Sequence, residues 1–148
     1  MQRSRRWRLV ATVVAGLALA ACTSPGATKP KVDAVVVEKI EGTDLERLAL
    51  SAKAAERLGI STEPVGAGPA GSASSTVIPY SAVVYDAKGA AWTYTSPESL
   101  VFIRHMITVD HIAGQQAVLT SGPALGTLVV TVGAAELWGV ETGVGGGH

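Results

Sequence analysis

The 148-residue sequence contains no asparagine and one cysteine. Without asparagine there is no N-glycosylation sequon, and a lone cysteine closes no disulfide within the chain. Basic and acidic residues balance at twelve each, so the basic excess that nucleic-acid binding needs is missing. Ser121 lies in Ser121-Gly122-Pro123, a turn with no G-x-S-x-G frame around it, so it is no nucleophile elbow. No strand or helix face carries paired carboxylates, and no nucleophile–base pair can be assembled. These absences argue against an enzyme and against a cofactor.

What is present is most specific at the N-terminus. Arg3, Arg5, Arg6 and Arg8 precede any acid, which is the n-region of a signal peptide. Residues 9–18 form an uncharged apolar run, short of the roughly 20 residues that span a bilayer as a helix. Pro25 and Gly26 then argue against an uncleaved anchor. Ser4-Arg5-Arg6-Trp7 hints at twin-arginine export, but Arg8 stands where that motif wants an apolar residue. Leu19-Ala20-Ala21-Cys22 resembles the lipobox of bacterial lipoproteins. The resemblance implies cleavage between Ala21 and Cys22, diacylation of the Cys22 sulfur (palmitate-like chains), and a mature protein held by membrane lipid. Localisation is then the extracytoplasmic face of the cell membrane. Two acyl chains anchor much more firmly than one, at about 0.8 kcal/mol per buried CH₂.

Removing residues 1–21 with their four arginines leaves 127 residues with eight basic and twelve acidic side chains, a net charge near −4. That balance gives no electrostatic grip on anionic headgroups. Residues 22–33 are rich in Pro, Gly and small polar side chains and make a flexible tether. There is room for one domain, residues 34–138, followed by a glycine-rich tail, 139–148, expected to be disordered.

Within that domain the pattern is mainly β, a small antiparallel barrel or sandwich-like module with one short helix. Residues 34–40 are a first strand. Residues 45–50 alternate Leu with charge and form a second, and Ser51 and Gly59 cap a helix over 52–58; a single helix over 43–58 is the competing reading. Residues 60–65 resume extended chain, and 66–75 are a Gly/Ser linker. Gly66, Gly68 and Gly71 match a dinucleotide fingerprint, but the helix that it requires does not follow. Residues 77–85, a turn at Asp86–Gly89, and residues 90–95 form a β-hairpin at the centre of the module, with Trp92 and Tyr94 on one face. Residues 100–109 and 115–119 are further strands, joined by a turn at 110–114. Residues 127–132 are a strand apolar nearly throughout, hence central, and 133–138 add a helical turn.

His105, His111 and His148 are the only histidines. His105 and His111 share parity, about 20 Å apart on an unbroken strand, although a turn at Asp110 breaks that parity. With Asp110 they make no recognisable zinc spacing, so they are weak metal candidates and no metal is assigned. Trp92, Tyr94, Tyr80 and Tyr85 are either a sugar-stacking platform or core packing, and the latter is the commoner use of aromatics in a small sheet.

Two stretches carry a further resemblance: Leu48-x-Leu50-Ser51-x-x-Ala54-Ala55-Glu56-Arg57-Leu58-Gly59-Ile60-Ser61-Thr62, and Ile78-Pro79-Tyr80-Ser81-Ala82-Val83-Val84-Tyr85-Asp86 with Gly89, Trp92 and Tyr94. They are similar to periplasmic adaptor subunits (membrane fusion proteins) of RND-type and related efflux systems. Phe102-Ile103-Arg104, Val109, Val118-Leu119, Gly122, Gly126, Val129-Val130, Gly133-Ala134 and Leu137 continue the pattern. The resemblance implies a membrane-proximal β domain that docks on a transporter. Such adaptors carry lipoyl and helical-hairpin domains where this chain has only residues 66–75, so no tunnel to an outer-membrane channel is implied. The expected protein is a reduced adaptor: a lipid-anchored accessory subunit of an efflux permease of RND or ABC type. The alternative is a surface lipoprotein that binds a small ligand or metal.

Overall fold

The computed structural model describes residues 34–68 and 75–143, all within the compact unit spanning 32–148. The expected signal peptide, Cys22, the tether and His148 lie outside the described residues.

Strands β1 (Val35–Lys39) and β2 (Glu46–Leu50) pair antiparallel, with Val37 opposite Leu48. The alternation of Leu with charge therefore resolves as a strand, its Leu48 and Leu50 buried. Helix α1 (Ala52–Leu58) starts where Ser51 Oγ accepts from the Ala54 N–H at 3.3 Å. It ends at Gly59, whose φ of 62° is the left-handed conformation that glycine adopts without a Cβ penalty. The single longer helix does not form.

Strand β3 (Ser61–Pro64) continues through Val65 into β4 (Gly66–Ala67). The expected linker thus begins as sheet: Gly66 pairs with Val77, Ala67 with Thr76, and the Gly68 N–H donates to the Ser75 carbonyl at 2.9 Å. Residues 69–74 lie outside the described residues. The fingerprint glycines Gly66 and Gly68 sit in this pairing, and the chain goes on into strand β5 (Thr76–Pro79), not a helix.

The expected long strand over 77–85 is interrupted. Thr76–Pro79 pairs with a different strand, a 3-10 turn covers Tyr80–Ala82, and only β6 (Val84–Tyr85) joins the expected hairpin. Pro79 has no N–H to continue a ladder, and the Tyr80 N–H instead donates to the Gln115 carbonyl at 2.8 Å. The turn at Asp86–Gly89 forms as expected. It leads into β7 (Ala91–Glu98), which sets Val84 opposite Trp92 and Tyr85 opposite Ala91.

Strand β8 (Val101–Ala113) runs four residues past the expected end. Asp110 is a bulge between Val109, opposite Leu119, and His111, opposite Val118 on β9 (Gln116–Ser121). The bulge absorbs the Asp-His pair within the strand, and the turn waits for Gly114, at φ 62°. Strand β10 (Leu128–Val132) and helix α2 (Ala134–Glu141) complete the chain. Gly139, Val140 and Glu141, expected in the tail, are the last residues of α2.

The sheet order is β3-β10-β7-β8-β9-β5-β4. Because β3 and β4 are successive parts of one segment, the sheet returns to the strand it started from and forms a nearly closed antiparallel barrel. Val65 bridges the seam: its N–H donates to the Thr127 carbonyl at 2.8 Å and its carbonyl accepts from Gly126 at 2.9 Å. One core holds Val65, Ile78, Ile107, Leu119 and Val129. The other, beneath α1 and α2, holds Leu48, Ala54, Tyr94, Phe102, Val130 and Leu137. Val129 and Val130 face different cores, which is why β10 is apolar on both faces.

Candidate functional site

The most concentrated polar chemistry lies where β7, β8 and α2 meet. Register sets Tyr94 opposite Arg104, and Tyr94, Trp92 and Arg104 then share a face with α2 above them. Tyr94 is fully buried and its hydroxyl donates to Glu141 Oε2 at 2.5 Å. Arg104 Nε lies 3.3 Å from Glu141 Oε1, in ion-pair contact but without hydrogen-bond alignment. The guanidinium packs on two indoles, 4.1 Å from the Trp92 ring centre and 5.2 Å from that of Trp138. Arg104 Nη2 also donates to the Asp44 carbonyl at 3.4 Å. Side-chain exposure is 15% for Arg104 and 5% for Glu141, so charge, hydrogen bonds and ring faces compensate one another out of water. Burial above all, then the hydrogen bond to Glu141 and its negative charge, raises the Tyr94 hydroxyl well above its ordinary value.

Asp86 anchors the hairpin turn at the rim of this cluster. Its carboxylate accepts from the Lys88 and Ala90 N–H groups at 2.8 and 2.9 Å and from Trp92 Nε1 at 3.2 Å. The Ala90 N–H bond is the main cause that holds the Asp86 pKa below the usual carboxylate value, against a smaller opposing effect of desolvation. The cluster joins α2 to the barrel, with Arg104 Nε and Glu141 Oε1 in ion-pair contact but outside any hydrogen bond.

The histidines stand apart from it. His105 is exposed, opposite Thr93 on β7. Exposed His111 places Nδ1 2.8 Å from Asp110 Oδ2, a pairing of sequence neighbours. Among the described residues no three His, Cys, Asp or Glu side chains converge on a metal position. The aromatic platform is not assembled either: Tyr94 is buried and Arg104 lies over Trp92, while Tyr80 and Tyr85 are each about half exposed.

Among the described residues lie two open clefts. One, of about 430 Å³, lies between α1 and the β7–β8 turn, with Ile60, Leu100, Phe102 and Leu128 in its wall. Leu100 holds a φ of 62° there, which is uncommon for a branched side chain. The other, of about 530 Å³, is polar, with Glu63, Tyr80 and Gln115 in its wall. The wall of the first cleft also includes Thr62, Ser96, Ser99 and Glu98, and Glu98 lies 3.5 Å from the Arg47 guanidinium.

Against family models, curated proteins and solved structures, the chain was compared three ways. Nothing matches.

Glu141 escaped the sequence reading because glycine at 139, 143 and 145–147 suggested a tail, and the helical turn expected over 133–138 gave Trp138 no partner. The signal was present nonetheless. Ala134, Leu137, Trp138 and Glu141 fall at i, i+3, i+4 and i+7, one helical face.

Proposed function

We propose that this protein is a lipid-anchored extracytoplasmic subunit that binds an efflux permease, a reduced adaptor without lipoyl or hairpin domains. The observation that carries the reading is the use to which the barrel puts its reactive side chains. Arg104, Glu141, Tyr94 and Asp86 hold α2 and the central hairpin in place, so these charged and polar side chains secure the surface that a partner would meet. The lipobox at Cys22 and the adaptor-like residues from Leu48 to Leu137 support the same reading from the sequence. Several large apolar side chains face solvent on this rigid body, among them Leu125 at 64% exposure and Val132 at 51%; such positions suit a protein partner better than a small polar ligand. Among the described residues no helix is long and apolar enough to cross a membrane, so acylated Cys22 is the attachment the proposal needs.

Crosslinking in native membranes followed by mass spectrometry tests this. A transporter permease is expected among the partners in repeated experiments. Repeated recovery of the protein with no transporter beside it overturns the proposal.

A further inference from the structure

Strand β1 is an edge of the sheet: among the described residues it pairs only with β2, as β6 pairs only with β7. Its hydrogen-bonding direction is fixed at both ends. The Ser51 N–H donates to the Ala34 carbonyl, and the Ile40 N–H donates to the Leu45 carbonyl, each at 3.0 Å. Successive residues of a strand point their backbone groups to opposite sides, so Val36 and Glu38 also bond toward β2. The N–H and C=O groups of Val35, Val37 and Lys39 therefore face outward, with no strand beside them among the described residues.

The edge is short, five residues, and carries Glu38 and Lys39, but its other usual protections are missing. Val35–Lys39 contains no proline and no bulge, and its register with β2 is unbroken. Val35 packs against the core beneath the helices, whereas Val37, on the same face, is 44% exposed, and Val36 on the other face is 45% exposed. Glu38 is engaged within its own chain by Arg47 at 3.2 Å. Lys39 is the one charged residue in the outward-bonding set.

We propose that β1 pairs antiparallel with β1 of a second copy of this chain, about a two-fold axis at Val37. In that register Val37 opposes Val37, Val35 opposes Lys39 and Val36 opposes Glu38. No like charges stand directly opposite, which is the condition that cross-strand pairing imposes. Val37 donates and accepts across the axis in both copies, and its exposed side chain meets its counterpart, while Val36 lies beside Glu38 of the second copy. An isologous contact of this kind closes on itself and leaves no further edge to propagate. The pairing goes beyond the transporter reading and does not depend on it; anchoring by Cys22 would only raise the local concentration of copies.

The full chain carrying Cys22→Ser, in detergent micelles, tests the pairing by sedimentation. It is expected to show a concentration-dependent dimer. Val37→Pro removes only an outward N–H, so it is expected to weaken the dimer at least about tenfold while the circular dichroism and melting temperature stay close to wild type. Should that variant fold poorly, Val37→Lys, which opposes like charges on the axis, is expected to weaken the dimer comparably. Opposed Cα atoms in such a pair lie about 5.5 Å apart, within disulfide reach. Val37→Cys is therefore expected to crosslink copies on mild oxidation, whereas Lys53→Cys on α1 is not. A monomer at every concentration, a dimer indifferent to both Val37→Pro and Val37→Lys, or equal crosslinking through position 53 overturns the proposal. A monomer in which Val37→Pro abolishes transporter capture also overturns it, and assigns the edge to a foreign strand. Absence of a transporter leaves the sedimentation result standing.

Discussion

Replacing Glu141 by alanine removes the acceptor of the Tyr94 hydroxyl and the counter-charge of Arg104 in one step. An orphaned buried hydroxyl costs about 1–3 kcal/mol, and breaking a buried ion pair about 3–5 kcal/mol. The two do not add, because Arg104 keeps both indole faces and the Asp44 carbonyl. A net loss of about 3 kcal/mol is expected, a substantial part of the 5–15 kcal/mol that holds a typical domain together. At about 4 °C per kcal/mol for a domain near this size, the melting temperature falls by roughly 10 °C. Glu141→Gln keeps an acceptor for Tyr94 and loses only the charge, so a loss of about 1–2 kcal/mol is expected. Glu136→Ala, exposed on the same helix, should stay within about 0.5 kcal/mol of wild type. Urea unfolding followed by tryptophan fluorescence measures all three, with Tyr94→Phe completing a double-mutant cycle whose coupling should exceed about 1 kcal/mol. If Glu141→Ala changes stability by less than about 0.5 kcal/mol, α2 is not fastened by this cluster and the reasoning fails.

Two further outcomes follow from the same packing. The Tyr94 hydroxyl stays protonated in the folded chain above its ordinary value near 10, while in the unfolded chain it ionises there. The unfolded state then binds fewer protons, so stability falls as pH rises beyond about 10. Urea midpoints between pH 9 and 11 should show that fall in wild type and a flatter profile in Tyr94→Phe. At Gly133 the backbone holds a φ of +90° and an added Cβ would collide with Ile60 Cδ1. Gly133→Ala should therefore cost about 2 kcal/mol in thermal melts, against about 1 kcal/mol for Gly114→Ala, where φ is 62° and the surrounding space is open.

The elements that were legible in the sequence are those whose boundaries rest on local chemistry. Ser51 and Gly59 delimit α1 because a hydroxyl cap and a left-handed glycine act within one turn of the helix. Asp86 and Gly89 place the hairpin turn for the same reason, and a run apolar nearly throughout marked β10 as central. The misplaced elements depended on distant partners. Pro79 divides the expected 77–85 strand because Gln115, far along the chain, accepts the Tyr80 N–H. The bulge at Asp110 exists only relative to β9. Glycine at 66 reads as linker until Val77 returns beside it, and Glu141 reads as tail until Arg104 and Tyr94 are brought beneath it. The closure of the barrel through Val65 was likewise invisible, since it requires one segment to serve two neighbours at once.

The account rests on a barrel that works while held to a membrane by its first mature residue. Intact-mass measurement of the protein extracted from its native membranes tests that most directly. It predicts a polypeptide beginning at Cys22 and heavier than its sequence by a diacylglyceryl group. A chain that still carries residues 1–21, or an unmodified one recovered from the surrounding medium, would contradict it.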